Sequence, residues 1–239
     1  FGARVDSGNR IGRFAGDDLE FRPVAPLHRA EKQGVCRDAG LVLGMGHERR
    51  FEPPVADMLA MADSGTLGRI HQIEANFSHD KFLSLARDNW RLKADQAPAG
   101  GMTATGIHLL DLSVRLLGAA ESVLCICEQL SSDLPQGDTV AAFVKFKGGG
   151  TSYVSASLAN PFMSRFTVYG SKGWVDIRDK AHVEAPDGWI VTSAMQGGPI
   201  VTTEIGKADV GNHIITGVGG ESGHDGVSCR RVRPQASGL

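Results

Sequence analysis

Between Gly100 and Asp111 the chain reads GGMTATGIHLLD, and it places a histidine and a carboxylate three residues apart in a segment whose apolar residues recur at helical spacing. Residues three apart are neighbours on a helix surface, so His108 and Asp111 can interact and face a common cleft, with Arg115 on the same side. Titratable side chains gathered in this way make the segment the candidate chemical centre. A solvated or merely hydrogen-bonded helix face is the competing reading of the same pair.

Such a helix must be held by a core. Ile107, Leu110, Val114 and Leu117 fall on one stripe of a 3.6-residue period and are expected to face it, with Gly118 ending the helix. Upstream, LVLGMG (Leu41 to Gly46) reads as a short strand followed by the polar connection HERRFEPP. Pro54 suits the first turn of a second helix, in which Val55, Met58, Leu59 and Ala62 form the apolar stripe before Gly65. A strand from Arg69 to Phe77 alternates Ile73, Ala75 and Phe77 with Gln72, Glu74 and Asn76.

From His79 to Pro98 the pattern is irregular and reads as a long loop near the mouth of the site, where Trp90 is either part of that mouth or a core anchor. Strand-like runs follow at Ser122–Gln129, Asp138–Lys147, Thr151–Leu158, Arg165–Tyr169 and Trp174–Ile177. Glycine-bearing breaks such as KGGGT and YGSKG separate most of them, as hairpins require. Weaker strand candidates lie at His182–Glu184 and Trp189–Thr192. The pattern predicts an α+β fold: a large, mostly antiparallel open sheet with helices on one face. Apolar residues on the second face, among them Ala141 and Phe143 beside Thr139 and Lys145, predict that a partner subunit covers it.

Composition narrows the partners. The net charge of −2 over 239 residues, with no block of Lys and Arg, disfavours nucleic acid. No apolar run approaches the ~20 residues that span a bilayer, so neither a membrane partner nor a membrane location is expected and a cytoplasmic protein is. Cys125 and Cys127 sit two strand positions apart, about 6.6 Å between alpha carbons, near the limit for a disulfide; both read as apolar fillers in a reducing compartment, and no Cys/His spacing suggests a metal site. Residues 1–40 and 206–239 are glycine-rich and lack sustained periodicity, which sets them apart from a central domain at 41–205. Poor order is expected in the first stretch, and the last reads as an irregular tail.

The stretch from Gly40 to Glu204 resembles the second half of the glucose-fructose oxidoreductase, inositol dehydrogenase and MocA family (Gfo/Idh/MocA). Its landmarks occur in the family's order: GHERRFEP, SGTLGRI, the pair Trp90–Arg91, the GG…GIHLLD element and the strand ending VYGSKGW. The resemblance implies an N-terminal Rossmann domain binding NAD or NADP and a C-terminal α+β domain that supplies the substrate pocket and oligomer interface. It implies hydride transfer between nicotinamide and a carbon–oxygen bond of a sugar, cyclitol or related small molecule. By the same resemblance His108 is the catalytic acid or base, with Arg22 beside it; Asp111 orients it or holds the helix; Trp90, Arg91 and Asp111 contact substrate; and Arg22 and Pro23 lie at the cofactor. The family's EKP element, whose lysine lies beside the nicotinamide, matches Phe21-Arg22-Pro23. Arginine stands in place of lysine, so Arg22 could position or polarise but not act as a base. Ala104 stands where many members carry an aspartate.

A dinucleotide domain needs two βαβαβ halves, each βαβ unit taking about 30 residues. Residues 1–40 carry neither that length nor a G-x-G-x-x-G element. The sequence therefore predicts a truncated Rossmann remnant ahead of the sheet domain, in a fragment or disrupted reading frame that does not hold NAD(P) usefully. Two functions stay open at this point: an oxidoreductase of the family, and a non-catalytic domain kept for oligomerisation or sugar binding.

Overall fold

Alternation of apolar and polar side chains suits a strand with one covered face and one open face. It governs much of the chain within residues 10–15, 37–38, 42–45, 47–206 and 227–230, the part that the computed structural model describes. In chain order these residues form strand β1 (Arg10–Ala15), strand β2 (Val42–Met45), a 3₁₀ turn (Glu48–Phe51) and helix α1 (Pro53–Asp63). Strand β3 (Ile70–Ser78) is followed by 3₁₀ turns at Lys81–Ser84 and Trp90–Leu92, then by a π-helical turn (Met102–Gly106) that runs into helix α2 (Ile107–Leu117). The rest is strand: β4 (Ala120–Glu128), β5 (Thr139–Phe146), β6 (Thr151–Ser157), β7 (Met163–Gly170), β8 (Gly173–Asp179), β9 (Trp189–Met195), β10 (Ile200–Ile205) and β11 (Val227–Arg230).

Nine strands form one sheet in the order β1-β4-β5-β6-β3-β7-β8-β9-β10, and β11 pairs with β2 in a separate ribbon. The sheet is mixed, which corrects the expected antiparallel meander: β3 lies parallel to β6, with Asn76 opposite Ser155, and antiparallel to β7. Tight turns fix neighbours only for strands that follow one another directly, as in β5–β6, β7–β8 and β9–β10. A long excursion containing α2 follows β3, and such a crossover can return the chain as a parallel neighbour. The candidate strand at His182–Glu184 is a turn, whereas β9 and β10 form a hairpin. The described residues ahead of Val42 show no Rossmann remnant, and β1 instead adds an edge strand beside β4.

Helices α1 and α2 cover one face of the sheet. Val55 and Met58 of α1 and Leu109 and Leu112 of α2 are fully buried against Ile73, Phe77, Val154, Phe166, Val168 and Ile177, and each such side chain is worth about 2 kcal/mol. The expected inward stripe of α2 holds only in part: Leu110 and Leu117 pack against the core, but Ile107 and Val114 are 41% and 47% exposed. The segment IHLLDLSVRLL is apolar on more than one side, and Leu109 and Leu112 are its fully buried members. Ser113 joins them in the core because its hydroxyl donates to the Leu109 carbonyl, 2.8 Å away.

On the open face a row runs Leu124–Phe143–Tyr153–Glu74–Thr167–Asp176 from strand to strand. It is apolar and exposed at one end and polar at the other. Cys125 and Cys127 are free thiols, each partly buried. No helix of the described residues is long and apolar enough to cross a membrane.

Candidate active site

His108 is placed by the two glycines ahead of it. Gly100 has a φ of +49°, and a Cβ there would lie 2.5 Å from the Gly137 carbonyl oxygen; a Cβ on Gly101 would lie 2.7 Å from that of Ala156. Glycine thus lets the wide turn lie directly against β6. Thr105 fixes its other side, its buried hydroxyl donating to the Phe77 carbonyl at 2.7 Å with that of Gly101 3.0 Å away. The π turn then delivers His108 in the first turn of α2; such widened turns recur at functional sites.

The turn after β2 is anchored by a buried cation. Arg49 is 1% exposed, its Nη2 lies 2.9 Å from Asp179 and 3.6 Å from Glu52, and its guanidinium stacks 5.4 Å from the Phe77 ring centre. Burial raises the Glu52 carboxyl to about 7, against the lowering effect of Arg49 and of the bond from Trp189. Burial beside a guanidinium that also serves Asp179 thus leaves Glu52 poised to bind a proton near neutral pH. Tied down in this way, the turn presents His47 and Glu48 to α2.

Glu48 Oε1 lies 3.8 Å from His108 Nδ1, and the His47 ring meets that of His108 edge-on at 5.7 Å. His108 Nδ1 is buried without a hydrogen-bond partner. Burial lowers the proton affinity of this ring; Glu48 opposes the effect, while His47 and Arg49 add to it. Asp111 does not orient His108. Its carboxylate takes both Nε and Nη2 of Arg50 at 2.6 Å and lies 3.7 Å from His47 Nε2, so it ties α2 to the turn.

His108 lines a cleft of about 850 Å³ together with His47, Glu48, Thr105, Trp90 and Arg91. Trp90 is therefore part of the mouth, 41% exposed, with the Arg91 guanidinium stacked 4.5 Å from its ring. Asn89 caps their turn by accepting from the Arg91 amide at 3.0 Å, and Gln136 donates to the Arg91 carbonyl at 2.8 Å. Behind Gln136, buried Asp138 accepts from the amides of Leu130, Ser131 and Ser132. Despite its burial, these bonds and those from the Ser132 and Thr139 hydroxyls hold its carboxyl down at about 2.

Of the residues expected at the site, His108, Trp90 and Arg91 come together in the cleft, Asp111 stands behind it, and Arg22 and Pro23 lie outside the described residues. Sequence reasoning did not assign a role to His47, Glu48, His79, Lys81, His182 or Glu184, all of which line the cleft. His47 and Glu48 belong to the quoted GHERRFEP landmark; the others sit in segments without periodicity, where only their side-chain chemistry was a signal. His79 is buried at the end of β3, 5.2 Å from the His182 ring. Burial, then His182 and Lys81, push it down to about 4. Among the described residues no cluster of His, Cys, Asp and Glu could hold a metal ion.

Residues 55–176, just over half of the chain, match the model of the GFO/IDH/MocA C-terminal domain. The chain is 26% identical over 144 residues to the uncharacterized oxidoreductase YdgJ of Escherichia coli K12, an overlap covering 60% of this chain and 40% of that protein. Its fold matches that of a proposed NADPH-dependent oxidoreductase from Desulfitobacterium hafniense DCB-2, with a TM-score of 0.67, 22% identity and coverage of 76% of this chain and 54% of the other. An inositol dehydrogenase homologue from Azotobacter vinelandii, solved with NAD+, matches with a TM-score of 0.59 and 21% identity over 74% of this chain and 46% of the other. The chain thus spans about half the length of these structures and less of the curated relative.

Proposed function

This chain belongs to the Gfo/Idh/MocA family, whose C-terminal domain it carries, and we propose that it forms the substrate side of an NAD(P)-dependent oxidoreductase acting on a sugar, cyclitol or related polyol. The observation that carries this reading is His108 itself: an imidazole kept neutral by burial, on the wall of a polar and aromatic cleft, beside a carboxylate. Glu48 Oε1, 3.8 Å from Nδ1 and so beyond hydrogen-bond reach, raises the proton affinity of the ring through its charge alone. In the tautomer with its hydrogen on Nδ1, Nε2 is the nitrogen that accepts the proton of a substrate hydroxyl. The same carboxylate stabilises the imidazolium that forms, as an orienting acid does in other proton relays. Trp90 supplies an apolar face for the carbon skeleton.

A nicotinamide held by a complete nucleotide-binding domain would supply the hydride acceptor. The described residues do not fit a whole dinucleotide, because none forms the strand, glycine loop and helix N-terminus on which a pyrophosphate rests. What this chain's own residues do is bind the polyol and hold its proton. Bound NAD+ in the Azotobacter inositol dehydrogenase homologue supports the cofactor class.

Fusing a complete nucleotide-binding domain ahead of Gly40 tests the reading. Polyol-dependent reduction of NAD+ or NADP+ is expected, with His108→Gln lowering kcat about 100-fold or more and leaving NADH affinity unchanged. The unfused chain is expected to show no saturable micromolar binding of NADH or NADPH. A fused protein that turns over equally well with His108→Gln would overturn it.

A second reading, a sugar-binding or oligomerising domain without chemistry, is favoured by Ala104, which lines the cleft where the resemblance expects an aspartate. Under either reading the apolar part of the open sheet face is an interface to a second copy of this chain. Leu124, Ile126, Phe143 and Tyr153 are each 39–47% exposed there.

A further inference from the structure

One wall of the cleft is a small polar cluster that the proton-transfer reading leaves unused. Lys81, in the turn after β3, places its Nζ 3.0 Å from His182 Nδ1 and ion-pairs with Glu184. The Glu184 amide lies 3.2 Å from the same ring nitrogen. Both groups are donors only, so Nδ1 is the acceptor and the neutral ring carries its hydrogen on Nε2. The Glu184 carboxylate, 3.8 Å from Nδ1, is too far to accept a hydrogen bond from it. Burial and the neighbouring Lys81 lower the proton affinity of His182, while Phe77, Phe162 and His79 wedge the ring in place at centroid distances of 5.2–5.8 Å. Among the described residues Nε2 has no hydrogen-bond partner, and His182 lines the cleft.

The cations of this wall are committed. Lys81 serves Glu184 and His182, and Arg91 stacks on Trp90 and has a further partner. A phosphate or carboxylate entering here would meet the Glu184 carboxylate and would have to break an ion pair to find a counter-charge, whereas a hydroxyl needs only a donor and an apolar face. Phe82 and Trp90 line the same cleft and provide such faces.

We propose that His182 is a specificity-determining residue that donates from a fixed Nε2–H to a hydroxyl oxygen of an uncharged polyol, and that the Lys81–Glu184 pair selects such a substrate over phosphorylated or acidic sugars. The inference rests on the polyol oxidoreductase reading and refines its substrate class.

Two measurements on the chain as it stands test it. Nitrogen-15 shifts of the imidazoles are expected to show His182 as the Nε2–H tautomer; an Nδ1–H ring overturns the proposal. Calorimetric titration with myo-inositol, D-glucose, D-glucose 6-phosphate and D-gluconate is expected to show binding of the neutral pair only. His182→Phe, which keeps a flat ring, should weaken that binding about fivefold to tenfold, and His182→Gln, which keeps a donor, should restore much of it. Glu184→Gln frees Lys81 and should raise the affinity for glucose 6-phosphate relative to glucose several-fold, a change that a purely structural cluster would not produce. Absence of polyol binding, equal binding of the phosphate, or polyol binding indifferent to His182→Phe each overturns the inference. Indifference to His182→Phe leaves the oxidoreductase reading standing, whereas absent turnover in the fused protein with His182-dependent binding intact does the reverse.

Discussion

Arg50 grips Asp111 through two nitrogens at 2.6 Å each, so the carboxylate one helical turn beyond His108 serves to join α2 to the turn that carries His47 and Glu48. The contact is a fork on a carboxylate, the geometry in which arginine outperforms lysine. Asp111→Asn is expected to cost about 1 kcal/mol, held to that size by the partial exposure of Arg50. Urea midpoints check it, and Arg50→Lys should recover only part of the loss.

His108 should titrate below an ordinary histidine, because burial disfavours its charged form more than Glu48 restores it. Glu48→Gln removes the larger of the two influences that raise it, Asp111 being the other, and should shift the midpoint further down; His47→Ala should shift it up. Proton NMR of the ring hydrogens between about pH 4 and 8 reads all three. In a fused, active enzyme the acidic limb of kcat should move with them, since the base is the neutral ring.

Acid should cost stability through His79 and Asp138, in two windows of pH. Each is read as the difference between variant and wild type, because Glu52, held up at about 7 when folded, takes its proton earlier in the folded chain and adds stability over the first window. His79, held at about 4 when folded, is protonated in the unfolded chain from about 6.5 downward, so stability is lost as pH falls between those values, by about 3 kcal/mol. Asp138 acts in the same direction at lower pH: its folded value of about 2 gives stability that is whole above the unfolded value near 4 and lost towards pH 2, by about 2 kcal/mol. His79→Phe should flatten the first window and Asp138→Asn the second in urea titrations across pH.

Alternation made most of the sheet legible in advance. Ile73, Ala75 and Phe77, and likewise Val140, Ala142, Val144 and Phe146, are buried as their period-two spacing predicts. The face of α2 was legible only in part: Leu110 and Leu117 pack inward as their spacing predicts, whereas Ile107/Val114 and Leu109/Leu112 are equally good flanks until a sheet selects one. The place of β3 beside β6 was hidden for a related reason, since register between strands far apart in sequence is written in no local pattern. In the site, His108 stood out by its spacing and Trp90–Arg91 by resemblance. His79, Lys81 and His182 did not, as they meet only after the loops following β3 and β8 converge.

Self-association through the open face follows from the row Leu124–Phe143–Tyr153. An interface of ordinary size offers a strong hydrophobic drive at about 25 cal/mol per Å², part of which association costs remove. Sedimentation at micromolar concentration should show a dimer or larger species, and Phe143→Asp with Tyr153→Asp should give a monomer of unchanged circular dichroism. A wild-type monomer would count against the interface.

Asn76 and Ser155 face each other across the one parallel seam among the described residues, 79 residues apart in the chain, and Asn76 donates to the Ser155 hydroxyl at 2.9 Å. Both the 79–98 loop and the His108 turn lie inside the connection that this seam closes. Each flanking set of hairpins can form from near neighbours, but the seam must wait for a long loop to close. The cleft is therefore among the last parts of the domain to become ordered in refolding. Mutations along Gln72–Asn76 or Thr151–Ser155 would slow its appearance even where they leave the hairpins untouched.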